Sequence, residues 1–377
     1  MKQPEVTRPG RIRGARRALS GREWASVGGM AVFVALLHVL GWGVLAAVAA
    51  PQNMPVGSTG VFGVGLGVAA YTLGLRHAFD ADHIAAIDNI TRKLCVEGKR
   101  SMSVGFWFSL GHSSVVFGLC ALLAAGIRSL ADRAVDGTSE LHSFLGLVGT
   151  TVSGLFLVCI GILNLAVLRG IIKSVLRLRK DENAAADPAA TAPAPGLLYR
   201  VFGRATRLIT RPWQVYGIGL LFGLGFDTAT EVSLLILAGG AAASALPWYA
   251  ILTLPVVFAA GMSLLDSLDG CLMNFAYGWA MNRPVRRIYY NIVITGLSVA
   301  VALGIGSIEL ISILVERAGI STGPLSAIGG IDLDSVGYTI VGLFLCTWVL
   351  ALGVWKFGHI EERWAAPVGN PDTGTGG

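Results

Sequence analysis

The densest set of chemically competent side chains in the chain is Arg76-His77-Ala78-Phe79-Asp80-Ala81-Asp82-His83, five ionisable groups within eight positions. Apolar sequence flanks it on both sides, VFGVGLGVAAYTLGL before and IAAI after. A single Asp or Arg near the centre of a membrane helix costs about 2.5–3.5 kcal/mol. A cluster this dense survives there only if its members pair, face a polar cavity or hold a cation. Two imidazoles and two carboxylates are good ligands for a divalent transition metal. The competing reading is an ion-pair cluster that merely locks helices, but Arg76 alone does not balance two carboxylates.

At about 100° per residue, His77, Asp80 and His83 spread over an arc of about 120°, and Asp82 points well away from them. One regular helix therefore cannot aim all four at a single ion. Either the helix is locally unwound near 77–83 or Asp82 has a second role, and broken helices lining a midplane site are common in transporters.

Three further apolar runs carry polar groups. Phe108-Ser109-Leu110-Gly111-His112-Ser113-Ser114 places His112 one turn from Ser109. A lone histidine of this kind serves as readily in an interhelical hydrogen bond as in a metal pathway. Gly225-Phe226-Asp227-Thr228-Ala229-Thr230-Glu231 puts Asp227 and Glu231 on one helix face, where like charges repel unless a cation or a proton intervenes. Gly261-Met262-Ser263-Leu264-Leu265-Asp266-Ser267-Leu268-Asp269 puts two carboxylates on neighbouring faces. His38 stands alone in an apolar run and reads as a satisfied core histidine.

These runs belong to a chain of 377 residues that is 54% hydrophobic and 14% charged. That balance is of a polytopic membrane protein, all-α, and excludes an ordinary soluble globule. Eight spans are expected, near 24–50, 61–84 (with a helical continuation towards 91), 103–127, 144–168, 213–240, 248–275, 288–315 and 336–357. The tails and connecting segments then hold 25 Lys and Arg on one side against Arg128, Arg133 and Arg317 on the other. By the positive-inside rule both termini are cytoplasmic and the span count is even. Residues 1–23 form a basic tail, 24–168 the first four spans, 169–212 a basic loop with an Ala/Pro-rich linker, 213–357 the last four spans, and 358–377 a disordered tail. Trp24, Trp213 and Trp248 open spans, as interface anchors do. Five scattered cysteines without C-x-x-C spacing read as free thiols. The net charge of +6 lies in loops and is no nucleic-acid signal. No nucleotide-binding G-x-x-x-x-G-K-[ST] motif occurs.

Phe79-Asp80 in the second span echoes Phe226-Asp227 in the fifth, and Gly111-His112-Ser113 in the third echoes Gly261-Met262-Ser263 in the sixth. Spans 2–4 and 5–7 would run in opposite directions, as the halves of an inverted-topology repeat do.

Together, RHAFDADHI, FSLGHSSVV, LGFDTATEV and GMSLLDSLDG resemble, in order and helix placement, the four motifs of the nickel/cobalt transporter family. The first looks like that family's H-x-x-x-x-D-H signature. The resemblance covers spans two to six, and the remainder agrees in topology. It implies uptake of Ni²⁺ and/or Co²⁺ across the cytoplasmic membrane of a bacterium or archaeon, by a permease and not an enzyme, without a resident cofactor. It carries metal-binding roles to His77, Asp80, Asp82 and His83. It carries pathway roles to His112, Asp227, Glu231, Asp266 and Asp269. The partners implied are the metal ion and the lipid bilayer, with no nucleic acid. Energetics allow it: moving two charges inward gains about 4.6 kcal/mol per 100 mV, roughly three decades of accumulation.

Three rival functions fit parts of the pattern. Export of the same metals uses the same fold. Another divalent ion, such as Zn²⁺ or Mn²⁺, suits much of the same ligand set. The H-x-x-x-x-D spacing of His77 and Asp82 also occurs in membrane acyltransferases, with histidine as general base, but that leaves His112 and the acids of spans five and six unexplained.

Overall fold

A computed structural model describes residues 19–56, 60–99, 101–125, 140–180, 209–224, 246–280 and 284–331, with scattered positions between 234 and 353. Its long elements are all helical. α1 (Gly21–Val44) starts at Ser20, whose backbone N–H donates to Glu23 Oε2 at 2.7 Å while its hydroxyl oxygen accepts from the Glu23 N–H at 3.3 Å. This reciprocal cap satisfies donors that a helix start leaves open. One π turn (Leu45–Ala49) and one 3₁₀ turn (Ala50–Gln52) end the run at Asn53, which takes a left-handed φ of 46°. A two-stranded hairpin, β1 (Pro55–Val56) and β2 (Gly60–Val61), leads into α2 (Val64–His77). There follow α3 (Ala81–Val96), α4 (Val104–Ala124), α5 (Glu140–Lys180), α6 (Val215–Phe222), α7 (Trp248–Ala280), α8 (Pro284–Ala318) and α9 (Pro324–Gly329).

Among the described residues five helical stretches are long and apolar enough to cross a membrane: Gly21–Gln52, Val104–Ala124, Gly146–Lys173, Trp248–Tyr277 and Thr295–Ala318. The chain is therefore a multi-pass membrane protein. These five coincide with the first, third, fourth, sixth and seventh expected spans. The second expected span differs. It is not one helix but two, of 14 and 16 residues, separated at Ala78-Phe79-Asp80, and neither alone reaches the ~20 residues a bilayer core needs. Much of the fifth and eighth spans lies outside the described residues, as do Asp227 and Glu231.

The order of charges around the break explains it. Arg76 and His77 occupy the last turn of α2, and Asp82 the first turn of α3. Basic groups at a helix C-terminus and acids at an N-terminus each complement the local dipole. Asp80 supplies the carbonyl that accepts the Ile84 N–H at 3.2 Å, opening the new helix, while Asp82 Oδ1 accepts the His83 N–H at 2.9 Å.

The chain divides into two compact units. The first holds α1, α2, α4, α6 and α7 as far as Asn274. Its core includes Leu45, Phe62, Val116, Leu254, Phe258 and Met262, all buried. Helices here meet backbone to backbone. A Cβ at Gly74 would strike the Phe258 carbonyl, and one at Gly261 would strike the Tyr71 carbonyl, so α2 and α7 approach reciprocally. Gly111 against Tyr216 and Gly219 against Phe108 do the same for α4 and α6. Small residues are the means by which membrane helices gain close van der Waals contact, since apolar burial drives nothing between them in lipid.

The second unit holds α3 up to Lys93, α5 from Thr150, the end of α7 from Phe275, α8 and α9. Gly154 of α5 lies against Leu310 and the Gly306 carbonyl of α8, and Gly161 against Leu303. Arg92, counted above among loop cations, is instead buried within α3. The loop asymmetry survives its removal. His38 engages both ring nitrogens, Nδ1 with the Val34 carbonyl at 2.8 Å and Nε2 with the Tyr71 hydroxyl at 3.1 Å.

Gly111→Val is expected to lower stability by about 1–3 kcal/mol through overpacking, read as a fall in the melting midpoint of detergent-solubilised protein. Gly118→Val on the same helix, whose Cβ meets nothing within 4 Å, should leave the midpoint unchanged.

Candidate metal centre

His77 is the last residue of α2, three positions after Gly74. Because Gly74 lets α2 touch the α7 backbone at Phe258, the His77 ring comes to lie beside the Phe258 ring, with centroids 5.7 Å apart. His112 follows Gly111 on α4, where the α6 backbone closes behind it at Gly219 and Gly223. The two glycine contacts thus bring two imidazoles from helices 35 residues apart into one buried place. Their Nε2 atoms are 2.8 Å apart and their ring centroids 4.6 Å, with planes inclined at 57°. His77 is 1% exposed and His112 2%.

Two neutral imidazoles facing through Nε2 share one proton, so one ring donates and the other accepts. The same pair suits a metal. Two imidazoles bound cis, at about 90° and with bonds of about 2.0–2.1 Å, lie about 2.9 Å apart, whereas tetrahedral coordination separates them by about 3.4 Å. The 2.8 Å between them is a hydrogen-bond distance, and a small opening of the pair would let one ion bind both rings.

The α4 and α7 motifs meet beside the pair. Ser109 Oγ lies 3.0 Å from Ser263 Oγ, and the Ser113 hydroxyl donates to Met262 Sδ at 3.6 Å. Gly105 fits against the Asp266 carbonyl. The third-span and sixth-span motifs are therefore structural neighbours. Asp266 is buried on α7 and Asp269 partly buried one turn on. In the second unit, Asp80 and His83 are buried and Asp82 partly buried at the start of α3. His112, assigned above to the pathway, is the residue that faces His77 directly. The sequence holds only a faint signal for this, a histidine next to a glycine in an otherwise apolar helix.

Residues 63–354 match the family described as high-affinity nickel-transport protein. The chain belongs to that family. Among its relatives, the nickel transporter NicT of Mycobacterium tuberculosis is 52% identical over 348 residues, 92% of this chain and 93% of that one. The nickel transporter NixA of Staphylococcus aureus is 47% identical over 88% of this chain and 95% of its own. The cobalt transport protein NhlF of Rhodococcus rhodochrous is 38% identical over 94% and 97%. No solved structure matches the chain significantly. The family is one of transporters, which accords with a buried imidazole pair inside apolar helices and leaves the acyltransferase reading without support.

His112→Ala is expected to weaken Ni²⁺ binding to purified protein by at least about tenfold, or ~1.4 kcal/mol, in calorimetric titration. Ser263→Ala, which removes a hydrogen bond beside the pair and no imidazole, should keep affinity close to wild type.

Proposed function

We propose that the chain imports Ni²⁺, and with it Co²⁺, across the cytoplasmic membrane as a secondary transporter. The observation that carries the reading is the buried His77–His112 pair, with Nε2 atoms 2.8 Å apart, in a member of a nickel-transport family. His83, buried in the first turn after the break, is the further imidazole we assign to the metal. Imidazole nitrogens with carboxylate oxygens, and no thiolate among them, suit Ni²⁺ and Co²⁺. Asp80 and Asp82 are the nearest carboxylates in sequence and serve as oxygen ligands or attract the hydrated ion. Asp266, Asp269, Asp227 and Glu231 line the route. The metal is cargo, so no resident cofactor and no enzymatic step are required.

The topology proposed has eight spans. The two half-helices α2 and α3 together make the second, and the segments 213–240 and 336–357 make the fifth and eighth. Both termini face the cytoplasm, with 1–23 and 358–377 as tails and 169–212, which opens with the helical end of α5 as far as Lys180, as the central cytoplasmic segment. Spans 2–4 and 5–7 form the inverted repeat. Import is driven by the membrane potential, which acts on both charges of the ion.

The deciding experiment is accumulation of radioactive nickel at sub-micromolar concentration in cells expressing the chain, beside His77→Ala at matched membrane abundance. Saturable uptake that the substitution abolishes is expected, with excess cobalt competing. Equal uptake by both strains, or metal sensitivity where starvation relief is expected, would overturn import through this pair.

A further inference from the structure

A second group of buried polar side chains lies wholly within the second unit, and transport as described above makes no use of it. Asp88, Asn89 and Arg92 occupy neighbouring positions on α3, all buried. One carboxylate oxygen of Asp88 accepts from the Tyr277 hydroxyl at the end of α7, and the other accepts from Ser298 Oγ of α8 at 2.5 Å. Arg92 Nη1 donates to Thr295 Oγ1 of α8 at 3.1 Å, and Nη2 to Asn89 Oδ1 at 3.4 Å. Asn89 Oδ1 also accepts from Asn164 Nδ2 of α5 at 2.6 Å, while its own amide donates to the Ala85 carbonyl at 2.7 Å. One face of α3 is thus tied to three other helical segments through charged or amide groups.

The angular arrangement of these ties gives them meaning. At about 100° per residue, Asp88, Asn89 and Arg92 cover an arc of about 100°, and His83 lies about 170° from the middle of that arc. The ties hold the back of α3 and leave His83 on its front. A helix side chain ends about 5–6 Å from the axis, so a 10° rotation of α3 displaces the His83 ring by about 1 Å. Functional constellations tolerate about 0.5 Å. Apolar packing alone resists such a rotation weakly, because it has no direction. Hydrogen bonds to a carboxylate and a guanidinium do have one, and breaking them leaves a buried charge unsatisfied.

The geometry points to Asp88 and Arg92 as positioning residues that fix the rotation of α3 and thereby the aim of His83. The inference rests on His83 acting as a metal ligand. It concerns affinity and not the passage of the ion, since neither residue touches the metal.

The test is nickel uptake kinetics in cells, normalised to transporter in the membrane, for wild type, Asp88→Asn and Arg92→Lys. Both variants are expected to raise the half-saturation concentration about tenfold, the low end of what losing the support of a metal ligand costs, while the maximal rate per transporter is retained. A purely structural role would lower abundance or maximal rate and leave half-saturation unchanged, and that result overturns the inference. Should Asp88→Asn fail to reach the membrane, Ser298→Ala and Thr295→Val decide instead. Each removes one tie without removing a charge. A raised half-saturation in them supports the positioning role, and an unchanged one overturns it. Absence of saturable uptake by the wild type itself would remove the transport reading, a separate outcome.

Discussion

An imidazole, carboxylate or guanidinium taken out of water costs several kcal/mol unless something replaces its hydration. In lipid the same holds for every backbone N–H and C=O. The architecture here follows from meeting both demands at once. Polar side chains inside apolar helices face other polar side chains, and where a helix ends in mid-sequence its end is dressed with charge of the right sign. His77 faces His112, Ser109 faces Ser263, and Asp88 accepts from two hydroxyls.

Glycine makes these meetings possible. The imidazole pair depends on α2 touching α7 and on α4 touching α6 through backbone atoms, at Gly74, Gly261, Gly111 and Gly219. A side chain at any of the four would hold the helices apart, and two rings at hydrogen-bonding distance leave little room to absorb such a shift. The chemistry of the pair is thus set by residues that have no chemistry of their own.

Much of this was legible in the sequence. Composition and apolar run length were enough for a multi-pass helical membrane protein. The geometry of RHAFDADHI already ruled out one regular helix aiming all its groups at one ion, and the chain does break at Ala78-Phe79-Asp80. The change from basic to acidic side chains across the break fits its place. What stayed hidden depended on contacts between distant segments. A single histidine in α4 carries no sign that it faces another. Asp88 and Arg92 look like residues at the watery end of a span, because nothing local shows Tyr277, Thr295 and Ser298 converging on them. Asp227 and Glu231 themselves lie outside the described residues.

One feature of α5 bears on where such a protein can work. The helix runs for 41 residues, about 62 Å at 1.5 Å each, and its apolar stretch Gly146–Lys173 has 28 residues, about 42 Å. A bilayer core is about 30 Å thick, and membranes differ from one another by a few ångströms. α5 has length to spare. Its contacts with α8 at Gly154 and Gly161 sit well inside that stretch. A thinner or thicker bilayer shifts the level at which lipid headgroups meet the helix, and the excess is taken up by tilt. The helix is in this sense insensitive to the gauge of its host membrane, and a change of lipid composition reaches its ends before it reaches the contacts that hold the unit together.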